Sequence, residues 1–147
     1  MNEDKLFRFY VEELFSKEEA YRFIGNLQAA DNLTAQEIMD ALYARELLGD
    51  LSVAPGVIMP HYVSQNLDQS SVSLISLKPP IAFWDETMSE VKLLIVLALK
   101  QDEIYETRQE ITKFIRKMVD MAFVDCLLKL NSETELMNLL KKENKKR

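Results

Sequence analysis

The chain has 147 residues, of which 48% are hydrophobic and 29% charged, and its formal net charge is −6. This length and balance predict one globular domain with its own core, because 3 glycines and 4 prolines are too few for a linker-rich or disordered chain. The negative charge argues against direct binding to nucleic acid, which requires a basic surface, and favours a basic protein partner.

Three helix starts are marked by the capping-box pattern, in which a Ser or Thr is followed three residues later by Glu. The three pairs are Ser16 with Glu19, Thr34 with Glu37, and Ser132 with Glu135. Apolar residues at helical spacing follow each pair. We therefore predict two helices in the N-terminal third of the chain and a third helix near its C-terminus.

The middle of the chain predicts strands. Residues 57–59 form a short apolar run that a proline ends, and residues 71–76 follow a period-two pattern. The pair Pro79-Pro80 is expected to break this second strand, with a short edge strand over 81–84. Residues 91–99 form a long, mostly apolar run flanked by charges, as expected of a central strand that is buried on both faces.

Two more helices are predicted after the strands, the second of them over residues 120–129. The apolar stripe of the first consists of Ile104, Ile111, Ile115 and Met118. Two helices, three or four strands and further helices predict a sheet that is covered by helices. We predict a single domain over 1–147, with a core at about 5–142 and a solvated, frayed basic tail at 143–147.

The chain contains one histidine, His61, which follows the apolar run 57–59 and Pro60. We expect its ring at the exit of a strand, on a rigid support near the surface. A tetrahedral metal site is not expected, because it requires several His or Cys ligands and the chain has one of each. A Ser-His-Asp hydrolase is not expected, since no Gly-x-Ser-x-Gly segment occurs. The open alternatives are a general base, a nucleophile for a phosphoryl group, and a residue without a chemical role.

Arg45 is the candidate cation for that ring. It follows Leu42 by three residues and so shares the core-facing stripe of its predicted helix. An arginine in this position needs a partner for its guanidinium. Three alternatives remain open: an internal salt bridge, for instance with Glu46 or Asp50; extension of the side chain to the solvated rim of the core; and support of a phosphoryl group carried by His61.

The sequence also predicts where the protein resides. The longest apolar stretch, 93–99, is too short to span a bilayer, and residues 1–5 lack the basic and apolar regions of a signal peptide. The single cysteine, Cys126, excludes an internal disulfide and fits a reducing compartment. We expect a cytoplasmic protein without direct membrane insertion.

Two segments resemble one protein family. Residues 41–46, Ala-Leu-Tyr-Ala-Arg-Glu, and 55–61, Pro-Gly-Val-Ile-Met-Pro-His, are similar to the Arg-Glu helix end and the Gly-x-Ala-x-Pro-His element of type-2 enzyme IIA domains. These domains belong to the bacterial phosphoenolpyruvate:sugar phosphotransferase system (PTS), in its fructose, mannitol and galactitol class. The order of predicted elements is similar over about residues 5 to 142. The resemblance implies an α/β fold, a mixed sheet of about four or five strands flanked by helices on both faces.

The resemblance also implies a function, that of a cytoplasmic phosphocarrier and phosphotransferase with a phosphohistidine intermediate. His61 would be the phosphorylated nucleophile, which accepts phosphate from the phosphohistidine of the carrier protein HPr and passes it to a cysteine of a IIB domain. Arg45 would stabilise the phosphoryl group. No metal, no organic cofactor and no direct contact with nucleic acid are implied.

The sequence departs from the family pattern in ways that leave a second role open. Residues 101–105 contain no second histidine of the kind found there in the mannitol type, the loop 50–54 lacks the usual Ser-Thr pair, and Tyr62 replaces a small residue. The segment 77–84 is similar to a Pro-Ile-x-Trp segment of IIA-like domains in sugar-operon transcription regulators. The alternative is a regulatory IIA-like domain in which phosphorylation of His61 controls partner binding.

Overall fold

The computed structural model describes residues 5–145, which form six strands, five α-helices and one 3-10 helix. In chain order the elements are β1 (Phe7–Glu12), α1 (Lys17–Gln28), α2 (Ala35–Glu46), β2 (Ser52–Ala54), β3 (Val57–Ile58), β4 (His61–Ser64), β5 (Ser71–Ile81), β6 (Val91–Lys100), α3 (Tyr105–Arg116), the 3-10 helix (Lys117–Val119), α4 (Met121–Leu128) and α5 (Glu133–Asn144). No helix within the described residues combines the length and hydrophobicity needed to cross a membrane.

The strands form one mixed sheet with β6 at its centre, which confirms the predicted α/β class. The strand order is β1-β5-β6-β3-β2, and β4 also pairs with β6. β5 is antiparallel to β6 and β2 to β3, whereas the other pairs are parallel. Because β3 and β4 pair with successive parts of β6, the two-residue link between them stays within the plane of the sheet.

Helices cover both faces of this sheet, as predicted. α1 and α2 build the core on one face, and α3, α4 and α5 build the core on the other. Alternate residues of β6 serve the two cores: Leu94 and Val96 belong to the first, and Leu93 and Ile95 to the second. This two-sided burial explains why the strand is an almost continuous apolar run.

The three predicted helix caps are present. The side chains of Ser16, Thr34 and Ser132 each accept a hydrogen bond from the backbone N–H three residues later. At Thr34 the box is complete, because the Glu37 carboxylate accepts the N–H of Thr34 in return at 2.8 Å. This cap fixes the start of α2, the helix that ends at the predicted Arg-Glu pair.

The strands differ from the prediction in their bounds. β1 and β2 were not predicted, because both are edge strands whose side chains are mostly half-buried and give no clear alternation. Pro79 and Pro80 lie within β5 and do not end it, since they fall where its register against β6 shifts, between Ser76 and Ile81. The predicted edge strand over 81–84 is wrong: Ile81 ends β5, and Trp84 packs edge-to-face on the ring of Tyr21.

The predicted frayed tail is wrong where the structure describes it. α5 continues to Asn144, and Glu143 is buried, with its carboxylate 3.6 Å from the Lys117 ammonium. The charge run therefore continues an amphipathic helix whose acidic residue faces the protein. Lys146 and Arg147 lie outside the described residues.

Candidate functional site

His61 is held by the centre of the sheet. It is the first residue of β4 and does not mark a strand exit, which corrects the prediction, because the chain pairs with β6 again directly after Pro60. The carbonyl of Pro60 accepts a hydrogen bond from the N–H of Leu97 at 2.9 Å. His61 is partly buried there, so its imidazole has a fixed backbone and retains some contact with solvent.

The structure brings the two predicted site residues together. Arg45 lies in the last turn of α2, and its Nε–H donates a hydrogen bond to Nε2 of His61 over 2.8 Å. The partners are 16 residues apart in the chain. α2 packs beside β4, so a helix end and a strand start meet at this contact.

The hydrogen bonds of the ring define its tautomer. Nδ1 of His61 lies 3.1 Å from the carbonyl oxygen of Met59. Because Nε2 accepts the hydrogen bond of Arg45, the neutral ring carries its proton on Nδ1 and donates it to Met59. Nε2 is therefore the unprotonated nitrogen, and its lone pair accepts the hydrogen bond of the guanidinium.

The surroundings keep this imidazole neutral. Burial lowers the pKa of His61, the Met59 carbonyl opposes that effect, and the positive charge of Arg45 lowers the pKa further. The net result is a pKa below the ordinary value of 6.5. A neutral ring with an available lone pair is the form required of a nucleophile at neutral pH.

We expect the NMR titration of the His61 ring to have its midpoint below 6.5. The unfolded chain binds the proton more readily than the folded one, so stability rises with pH between the folded and the unfolded pKa of His61. The free energy of unfolding should therefore have its full value above the unfolded pKa of the ring. It should decline as the pH falls from there through the lower, folded pKa. A midpoint above 6.5 would contradict the hydrogen-bond arrangement.

Arg45 keeps donors available beyond its contact with the ring. Its Nη1 is buried and has no hydrogen-bond partner among the described residues, and within residues 5–145 the guanidinium forms no salt bridge. Arg45 therefore does not form the internal salt bridge with Glu46 or Asp50 that was one alternative from the sequence. Glu46 instead pairs with Lys17, and Asp50 accepts from the backbone and hydroxyl of Ser52.

Sequence reasoning missed a polar cluster around Glu46, the last residue of α2. Lys17 donates to both carboxylate oxygens of Glu46, at 3.0 and 3.1 Å, and to Asp85 at 3.3 Å. The hydroxyl of Tyr21 donates to Glu46 at 3.2 Å. The cluster joins α1, the end of α2 and the β5–β6 connection, whose residues are too far apart in sequence to give a local signal.

Beside this cluster lies an open pocket of about 380 Å³. Its lining includes Glu46, Ile58, Trp84 and Asp85, but neither ring atoms of the histidine nor the guanidinium line it. Among the described residues, no group of three or more His, Cys, Asp or Glu is placed to hold a metal ion. Arg45 and His61 are both partly buried, so the pair retains some contact with solvent.

Tyr62, next to His61 in the chain, carries a buried hydroxyl. The residue is 4% exposed in the α1–α2 core, and its Oη has no hydrogen-bond partner among the described residues. We expect Tyr62→Phe to raise the free energy of unfolding by about 1 kcal/mol, because an unpaired buried polar group is costly. Urea denaturation measures this effect. The exposed Tyr105→Phe serves as control, and a destabilised Tyr62→Phe would contradict the expectation.

Comparison with known proteins places the chain among phosphotransferase components. Residues 2–143 match the family model of the phosphoenolpyruvate-dependent sugar phosphotransferase system, EIIA 2. Multiphosphoryl transfer protein 1 of Escherichia coli is 31% identical over 137 residues, which cover 91% of this chain and 16% of that protein. The transcriptional regulator ManR of Bacillus subtilis is 28% identical over 128 residues, covering 84% of this chain and 18% of the regulator. The chain therefore spans less than a fifth of either relative.

Solved structures share the fold. IIA-Ntr, a nitrogen regulatory protein from Neisseria meningitidis, superposes with a TM-score of 0.75 at 21% identity, covering 92% of this chain and 96% of that one. Enzyme IIAMTL of Escherichia coli, in its complex with phosphorylated enzyme IIBMTL, gives a TM-score of 0.65 at 21% identity, covering 93% and 99%. With the family match over residues 2–143, these findings show that the chain belongs to the EIIA type-2 family of the PTS.

Proposed function

We propose that this protein is a cytoplasmic phosphocarrier in which His61 accepts a phosphoryl group from phospho-HPr and passes it to a cysteine of a IIB domain. The observation that supports this best is the 2.8 Å contact between Nε of Arg45 and Nε2 of His61, with Nη1 of the same guanidinium unpartnered. A neutral nucleophile and a cation with spare donors are the two groups that phosphoryl transfer to an imidazole requires.

In the first step the lone pair of Nε2 attacks the phosphorus of the donor phosphohistidine. The new Nε2–P bond forms as the donor N–P bond breaks, and its electron pair returns to the donor nitrogen. The ring of His61 becomes an imidazolium, because Nδ1 keeps its proton. The Met59 carbonyl, 3.1 Å from Nδ1, accepts that N–H and stabilises the positive ring.

Arg45 has to change partners during this step. Its Nε–H loses the Nε2 lone pair as an acceptor, and the phosphoryl oxygens that arrive are better acceptors for a guanidinium. The buried Nη1 supplies a second donor without first having to break a hydrogen bond. Donors that are already in place stabilise the charge of the transition state most effectively.

In the second step a cysteine thiolate of the IIB domain attacks the same phosphorus. The S–P bond forms, the Nε2–P bond breaks, and its electron pair returns to Nε2, which regenerates the neutral ring. Exposed apolar side chains near the pair, Leu47 and Leu48 after α2 and Val63 in β4, provide contact area for both partners. The net charge of −6 favours a basic donor.

A second candidate is a regulatory role for the same phosphorylated histidine. It is favoured by the similarity to the regulator ManR and by the segment 77–84. In this case phosphorylation of His61 changes binding to a regulatory partner, and no IIB cysteine receives the phosphate.

One assay tests the proposal and separates the two candidates. The purified chain is incubated with phosphoenolpyruvate, enzyme I and HPr, and acid-labile phosphate is measured. IIB domains of the fructose, mannitol and galactitol classes are then added, each with a variant in which the acceptor cysteine is Ala. Transfer to a IIB cysteine supports the phosphocarrier, and retention of phosphate with every IIB domain supports the regulatory role. A chain that takes up no phosphate would overturn both.

A further inference from the structure

The position of the Arg45 guanidinium depends on the backbone that carries it. Arg45 lies in the last turn of α2, and residues 47–50 that follow are exposed. Among the described residues, the guanidinium has a single polar partner, the ring of His61. The loop closes this turn by backbone hydrogen bonds alone, from the N–H of Leu48 to the Arg45 carbonyl at 3.0 Å and from the N–H of Gly49 to the Glu46 carbonyl at 3.4 Å. Helix ends fray unless they are held, and an exposed loop adds no buried side chain to hold this one.

Glu46 holds it. As the last residue of α2, it receives Lys17 Nζ on both carboxylate oxygens, at 3.0 and 3.1 Å, and the Tyr21 hydroxyl at 3.2 Å. Tyr21 is 0% exposed, and burial followed by the charge of Glu46 raises its pKa, so it remains a donor. Burial of Lys17 opposes its charge, but the Glu46 and Asp85 carboxylates outweigh that effect and raise its pKa.

The side chains of Glu46 and Arg45 point in different directions. Successive residues on a helix point about 100° apart, so the two side chains do not compete for one partner. Glu46 contacts α1, whereas Arg45 contacts β4. The carboxylate therefore ties the helix end to α1, and the guanidinium extends from that fixed point to Nε2 of His61.

We propose that Glu46 is a positioning residue, which places the Arg45 guanidinium against Nε2 of His61 by anchoring the last turn of α2 to Lys17 and Tyr21. The placement itself rests on geometry alone, and its consequence for phosphoryl transfer rests on the proposed function. Glu46 does not touch the reacting atoms, so its effect passes through Arg45.

The decisive readout is the pKa of His61 in Glu46→Ala, measured by NMR. If Glu46 acted only through its charge, removal of a carboxylate would lower the pKa of the ring. If Glu46 positions Arg45, its removal releases the guanidinium, and the pKa rises, because in the intact protein burial lowers it most and the Arg45 charge lowers it further. The two explanations thus predict shifts of opposite sign. We expect the rise.

The rate of phosphate uptake supplies a second readout. Misplacement of a catalytic group by about 1 Å can slow a reaction up to ~100-fold, so we expect Glu46→Ala to be on the order of 10- to 100-fold slower. In an Arg45→Ala background, Glu46→Ala should add no further change in either the rate or the His61 pKa. A full, independent effect in that background would overturn the proposal.

Two further variants protect the test from trivial failure. Tyr21→Phe keeps the buried ring and removes only the donor to Glu46, so it should shift the His61 pKa upward by a smaller amount even if Glu46→Ala folds poorly. Glu18→Ala removes an exposed carboxylate that pairs with Arg22 at 3.6 Å, and it should leave the His61 pKa and the rate unchanged. An unchanged or lowered His61 pKa in both folded Glu46→Ala and Tyr21→Phe would overturn the positioning role. If the wild type takes up no phosphate, the proposed function fails, and the pKa shift still decides the role of Glu46.

Discussion

His61→Ala is expected to take up no acid-labile phosphate from phospho-HPr. The chain contains one histidine, and the lone pair of its Nε2 accepts the hydrogen bond of Arg45. Loss of the nucleophile removes the atom to which the new bond forms, so no slower path to a phosphohistidine remains on this chain. Uptake is measured with radiolabelled phosphoenolpyruvate, enzyme I and HPr, with the released label counted after acid treatment.

A second substitution guards against a loss of structure. In His61→Gln the side-chain amide can still accept from Arg45, but it cannot accept a phosphoryl group at neutral pH. Both variants should retain the circular dichroism spectrum of the wild type. Acid-labile phosphate on either folded variant would show that another residue is the acceptor and would refute the assignment.

Arg45→Ala is expected to lower the rate of phosphate uptake by about 10²- to 10³-fold, which is the usual effect of removing one preorganised donor from a site of developing charge. The His61 pKa should rise at the same time, because burial lowers it most and the Arg45 charge, which lowers it further, is gone. Rapid-quench measurement of uptake and NMR titration of the ring test the two expectations separately.

Arg45→Lys separates charge from geometry. Lysine keeps the positive charge but lacks the planar fork that can hold two oxygens, so an intermediate loss of rate is expected. Arg22→Ala is the matched control: its guanidinium is exposed and pairs within α1 with Glu18 at 3.6 Å. Wild-type kinetics in Arg45→Ala would contradict a role in stabilising the phosphoryl group.

Much of the fold could be predicted because its strongest signals are local. The caps at Ser16, Thr34 and Ser132 each depend on residues three positions apart, and all three are formed. The run 91–99 is apolar on both faces because both cores include it, and it is the central strand. Local patterning and burial agree in these elements.

Other elements escaped prediction because their pairing is distant. β1 pairs with β5 in a register that places Phe7 beside Val72. Residues 7–12 do contain aromatic and β-branched side chains typical of strands, but the segment is short and the prediction missed it. Pro79-Pro80 is a breaker signal by local rules, but a register shift in the sheet accommodates it inside β5. Edge strands and shifts in register are set by tertiary contacts, which a local pattern does not contain.

The candidate site shows the same division. Residue patterns singled out His61 and Arg45, and the family resemblance implied their roles. The structure adds how they meet: an Nε–Nε2 hydrogen bond and a Met59 carbonyl that fixes the tautomer. The anchor of Glu46 on Lys17 spans 29 residues of sequence. Such a contact between two helices is invisible until α1 and α2 are packed together.

The most direct test of the phosphocarrier assignment is a long-range ¹H–¹⁵N NMR spectrum of the protein after phosphorylation by phosphoenolpyruvate, enzyme I and HPr. With one histidine in the chain, the spectrum contains one imidazole to follow. We predict that the phosphoryl group is on Nε2 of His61, with the proton retained on Nδ1 beside the Met59 carbonyl. A phosphoryl group on Nδ1, or an imidazole unchanged in a protein that has gained phosphate, would contradict it.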